Sequence, residues 1–283
     1  MSKDLFLINR KQLLRIIVIV LSALVAFFAS QFFVAVLSAA VLTLIGKSPS
    51  EIDALYSDDS YWPKVVVFFL VYAIMTALVF LIMRTWWKLE ARDKKVSATS
   101  KTKKQAHQLT TFKRSLHFLK LDKVPTLQQF FEVFAYYIMY LITMLFVGAL
   151  VQLSGLVNVD QAQDLGVLPP HDASSIVAVA IIFVVLPPVC EEILFRGYLY
   201  NKLRQYAPLG LSVLLTSLLF GIAHLEYGNL NWIAAIDTFV FSMYLIFVSQ
   251  KHGSLYSAIL LHTLKNSLAL ALFITGVQAT TIR

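Results

Sequence analysis

The feature that most constrains this chain is Ile16–Ile45, thirty consecutive residues without a charge. A helix that crosses a bilayer needs about 20 apolar residues, because hydrocarbon offers the backbone no hydrogen-bond partner and a helix satisfies its own. Further apolar runs follow at Val65–Met83, Val133–Leu156, Ser174–Leu203, Leu209–Leu225, Leu230–Ser249 and Ser254–Gly276. Apolar residues fill 58% of the 283 positions and charged ones 14%, where soluble domains sit nearer a half and a quarter. Too little polar surface remains to cover a water-facing globule. The sequence therefore predicts an all-α fold, a polytopic transmembrane helical bundle of about seven spans. The first run is preceded by Lys3, Arg10, Lys11 and Arg15. It is far longer than the apolar core of a secretory signal, and reads as an uncleaved anchor. The single cysteine, Cys190, excludes an internal disulfide, and no CxxC zinc pattern occurs.

Orientation follows from the basic residues. Four precede the first span, and twelve lie between Arg84 and Glu132. The segment 46–64 carries only Lys47 and Lys64 against four acids, and 158–174 carries three aspartates with no Lys or Arg. This places the N-terminus and the Arg84–Glu132 loop in the cytoplasm, in the plasma membrane if the chain is bacterial. The net charge of +8 is then mostly a topology signal. No aromatic-interleaved module accompanies the basic loop, so nucleic acid is not an expected partner, and anionic lipid heads of the bilayer are.

Two regions result. Residues 1–125 hold two spans and a basic loop whose centre, residues 91–108, is polar enough to be mobile. Residues 126–283 hold five spans with short connections and the intramembrane polar residues. The basic and apolar stretch 116–132 suits the interface before the third span.

Three patterns interrupt the apolar text of the second region. In "CEEILFRGYLY", Glu192 and Arg196 are four apart and share a helix face, so they can pair. Glu191, rotated by about 100°, has no cation at that spacing and is left available. Phe220 and His224 form FxxxH, and His262 and Asn266 form HxxxN, each on one face. Lys265 lies beside them and must snorkel or pair. Charges at membrane depth are expensive, and their default reading is function with a named partner. Counting from the turn near Ala207, Glu191 and His224 each lie roughly 25 Å along their helices, level with one another. His262, ten residues beyond the turn at His252–Gly253, lies at about 15 Å and is shallower.

EExxxR, then FxxxH, then HxxxN, in this order on successive apolar segments, resembles the CPBP family of intramembrane proteases. That family includes the type II CAAX prenyl proteases and bacterial relatives linked to bacteriocin immunity. The resemblance covers roughly residues 130 to 276. It implies Glu191 as the glutamate that activates water, with Glu192 and Arg196 as supporting partners of the same motif. It also implies His224 as the residue that assists the water or the oxyanion, with Phe220 packed beside it. His262 and Asn266 complete the polar cluster, Asn266 as an oxyanion donor.

Peptide hydrolysis needs a water deprotonated near neutral pH, stabilisation of a tetrahedral oxyanion and an acid for the leaving amine. No serine or cysteine sits in a nucleophile motif. Two routes stay open: Glu191 acts without a cofactor, or Glu191, His224 and His262 hold zinc. HExxH is absent, although separate histidines and a carboxylate would suffice as ligands. The expected activity is an intramembrane endopeptidase acting on membrane-associated or lipidated, CAAX-type peptides and membrane proteins, prenylated ones included. A non-hydrolytic immunity or scaffold protein of the same fold is the first alternative, and a transporter the second.

Overall fold

The computed structural model describes residues 8–57, 59–97, 111–155, 157, 166–225 and 230–276. From residue 98 onward the expected mobile loop lies outside the described residues, as does most of the acidic segment before Gly166. Among the described residues the chain is helical and has no strand. The helices are α1 (Arg10–Leu44), α2 (Pro49–Leu55), α3 (Tyr61–Ser97), α4 (Thr111–Phe118), α5 (Leu127–Ser154), α6 (Ala173–Leu203), α7 (Leu209–Ile222), α8 (Trp232–His252) and α9 (Leu255–Ile274).

Local chemistry sets several starts. Asn9 and Gln12, Ser48 and Glu51, and Thr126 and Gln129 form reciprocal capping boxes at α1, α2 and α5, each satisfying two backbone donors that a helix start leaves bare. Asp172 caps α6, its carboxylate accepting from the Ser175 N–H at 2.6 Å. That bond holds the Asp172 carboxyl below the usual range.

Six helices, α1, α3, α5, α6, α8 and α9, are long and apolar enough to cross a membrane. The seventh expected span, α7, has 14 residues and stops at Ile222. At 1.5 Å per residue it covers only about 21 Å, short of a hydrocarbon core near 30 Å. His224 therefore sits in the turn that ends this helix and not within it. The surface confirms the choice of solvent. Phe32, Leu145 and Phe146 are each about two-thirds exposed or more, while Glu192 and Arg196 are fully buried. Such a bundle is apolar outside and charged inside. The chain is a multi-pass integral membrane protein.

α1 packs against α3 and α6 and buries Ile16, Ile19, Ala23, Ala26, Ser30 and Val34, a stripe at three- and four-residue spacing that keeps one helix face inward. α6 is the central helix, touching α1, α3, α7, α8 and α9. It is not a plain α-helix. Ile181–Val185 and Ile193–Tyr200 are wide turns with π geometry, and between them Pro187 and Pro188 supply no N–H. α7 and α8 approach closely at Gly221, where an added Cβ would meet the Ala235 carbonyl at 2.7 Å. The stretch before α5 forms α4 and then turns at Lys120, burying Leu119 completely against the α6 core.

Candidate active site

A cavity of about 660 Å³ lies inside the bundle, within the range of ligand sites. Glu191, His224, His262, Lys265 and Asn266 line it, with Asp237 and Thr238 of α8. Both halves of the chain build its wall, since Gln31 and Ala35 of α1 and Phe68 and Tyr72 of α3 also contribute. Gln31, Ala35 and Ala269 are exposed, so the cavity opens to the outside of the bundle.

The first pattern forms a buried ion pair. Arg196 Nη1 lies 3.0 Å from Glu192 Oε1, both side chains fully buried. The same oxygen accepts from His262 Nδ1, also at 3.0 Å. The guanidinium stacks 4.1 Å over the Phe220 ring, which in turn packs against His224 at 4.6 Å and His262 at 5.9 Å. Phe220 is thus a platform between the cation and both histidines. His262 reaches Glu192, although the count at α-helical rise placed it shallower. The wide turns of Ile193–Tyr200 lie between Glu192 and the turn from which that depth was counted, where a uniform α-helical rise does not apply.

Glu191 faces elsewhere. Its Oε1 accepts from the Tyr72 hydroxyl of α3 at 2.9 Å, and its buried Oε2 has no hydrogen-bond partner among the protein atoms. Sequence reasoning missed Tyr72, because nothing in "LVYAIM" separates it from a packing tyrosine. His224 Nδ1 lies 2.8 Å from the Phe220 carbonyl. A carbonyl only accepts, so Nδ1 carries the proton and Nε2 of the neutral ring is an acceptor.

Asn266 Nδ2 donates to the Phe183 carbonyl of α6 at 2.7 Å. Lys265 pairs with Asp237 at 2.5 Å and lies over the Phe241 ring, and Asp237 also accepts from Tyr140 of α5. Asp237 had no place in the sequence reading, where Lys265 lacked a named partner. Cys190 is partly buried, against the core of which the α6 centre is part.

Zinc requires three or more converging donors. Among the described residues no group of three His, Cys, Asp or Glu side chains is placed to hold a metal ion. His262 is turned onto Glu192 and Glu191 onto Tyr72, so the set Glu191, His224 and His262 does not fit zinc in this arrangement.

Residues 173–268 match the family described as type II CAAX prenyl endopeptidase Rce1-like. The matched stretch begins with α6, ends within α9 and contains EExxxR, FxxxH and HxxxN, a narrower span than the sequence resemblance suggested. The similarity of this stretch to that family is consistent with the CPBP resemblance of the motifs it contains. Neither a curated protein nor a solved structure matches the chain. Helices α1 to α5, Tyr72 among them, lie outside the matched residues.

Proposed function

We propose that the chain cleaves membrane-associated or lipidated peptides with a water activated by Glu191. The observation that carries this reading is Glu191 itself, a buried carboxylate lining an open cavity, with one oxygen held and the other without a protein partner. A general base must stand within hydrogen-bond reach of the proton it takes, and Oε2 is the atom left for that task.

In this reading Glu191 removes a proton from water, and the hydroxide attacks the scissile carbonyl carbon. The tetrahedral oxyanion forms, the C–N bond breaks, and the proton passes to the leaving amine. His224, neutral with Nε2 as acceptor, orients the water or relays that proton. Glu192 anchors Arg196 and the His262 Nδ1–H, which leaves the His262 Nε2 side of the ring for the reacting groups. One N–H of Asn266 is engaged by Phe183, so its second is the only one it can offer an oxyanion.

The test is cleavage of a mixed set of membrane-associated and prenylated peptides by purified protein in detergent, beside Glu191→Ala and with a zinc chelator. Products that vanish in the variant and survive the chelator support the reading. Activity lost to the chelator and restored by zinc would replace it with a metal-dependent mechanism. Full cleavage by Glu191→Ala would remove Glu191 from the chemistry.

A further inference from the structure

We propose that Tyr72 is the positioning residue of Glu191, fixing the carboxylate through Oε1 so that Oε2 is the atom that takes the proton. The proposal rests on the reading of Glu191 as the base. Tyr72 comes from α3, 119 positions away in sequence and outside the residues that match the protease family. Its catalytic partnership thus belongs to the part of the chain without an assigned role.

The geometry restricts the donor. A phenol has one proton, and an ionised carboxylate only accepts, so the 2.9 Å contact runs from Tyr72 to Glu191. The tyrosine is itself fixed. It is buried among Met75 and the α6 core, with the Phe68 ring at 6.2 Å, and α3 packs along the segment of α6 that carries the glutamates. Without such a donor a glutamate with three rotatable bonds exchanges its two oxygens and swings its base out of line. A displacement of about 1 Å at a reacting centre lowers rate on the order of a hundredfold.

A donor to a carboxylate also favours its charged form. The titratable and charged groups around Glu191 are Tyr72 from α3, Cys190, Glu192 and Arg196 on its own helix, His224 after α7, and Asp237 of α8, His262 and Lys265 across the cavity. Of these Tyr72 alone hydrogen-bonds it among the described protein groups. Removing that hydroxyl therefore changes how tightly Glu191 holds its proton while the other neighbours stay in place.

The experiment compares wild type, Tyr72→Phe and a chain with fluorotyrosine at position 72, a stronger donor of the same shape. The expected result for Tyr72→Phe is a 10- to 100-fold lower kcat, little change in KM and an acidic limb of kcat/KM moved to higher pH. Fluorotyrosine should move that limb to lower pH. A structural role would move neither limb. Infrared titration of the carboxyl stretch, assigned by its loss in Glu191→Gln, reads the same midpoints without turnover. Midpoints identical in wild type and Tyr72→Phe would overturn the proposal, whatever the activity. Shifted midpoints in a protein that cleaves nothing would uphold the hold of Tyr72 on Glu191 and overturn the protease reading instead.

Discussion

The side-chain amide of Asn266, on α9, donates at 2.7 Å to the backbone carbonyl of Phe183, on α6. That carbonyl has no donor in its own helix. In α geometry the N–H would come from residue 187 and in π geometry from residue 188, and both are proline. Asn266 closes a break inside a span, where a bare carbonyl costs several kcal/mol. Asn266→Ala is expected to lower stability by about 1 kcal/mol, the usual size of such a bond in membranes. Pro187→Ala restores an N–H to Phe183 and should shrink that loss. A denaturant titration in detergent on the two single variants and the double decides it, and equal losses in both backgrounds would remove the capping role.

Arg196 and Glu192 stake more. Breaking a fully buried ion pair from one side leaves an uncompensated charge, worth about 3–5 kcal/mol. Arg196→Met should destabilise the protein by that order, and Glu192→Gln added to it should recover much of the stability. Thermal unfolding of the three variants checks this. A double variant no better than Arg196→Met would mean that the remaining bond from His262 to Glu192, and not the unpaired charge, governs the loss.

Two glycines should respond differently to alanine. At Gly221 the new Cβ meets the Ala235 carbonyl at 2.7 Å, a backbone atom that cannot yield without parting α7 from α8. Gly221→Ala is expected to cost about 1–3 kcal/mol and, by shifting the turn that carries His224, to reduce cleavage. At Gly197 the nearest atom is the tip of Leu119 at 2.8 Å, and a flexible side chain can move aside. Parallel melting curves and rates should rank Gly197→Ala as the milder change.

Lys265 is tolerated in the cavity wall because Asp237 accepts from it at 2.5 Å. A lone lysine at membrane depth costs roughly 2.5–3.5 kcal/mol on insertion scales. Asp237→Ala should lose stability of that order, and Lys265→Met in the same chain should restore most of it. If the double variant unfolds as early as the single one, the bond from Tyr140 to Asp237 is the contact that matters.

The spans were legible because lipid imposes contiguity: only long uncharged runs such as Ile16–Ile45 satisfy it, and no other solvent produces them. Glu192 and Arg196 were legible for the opposite reason, since charges at four-residue spacing inside apolar text have few other uses. The depth of His262 misled because it was counted at α-helical rise, and the wide turns at Ile193–Tyr200 have no local signature. They arise where α6 packs against five neighbours. The end of α7 at Ile222 was also unreadable, as "FGIAHL" continues the apolar pattern past the point where the helix stops. Tyr72 was beyond reach, its partner lying across a packing interface that sequence spacing does not encode. The S-x-x-E signature at Ser48–Glu51 was present and announces α2 inside the acidic segment.

The contacts of Glu191 and Glu192 with Tyr72 and His262 span 119 and 70 positions of chain. They draw on α3 and on α9, so the glutamates are synthesised well before His262. Until α9 is inserted, Glu192 lacks its histidine and the Phe183 carbonyl its amide. A chain without α9 therefore lacks the contacts that bring Glu192, His262, Phe183 and Asn266 together.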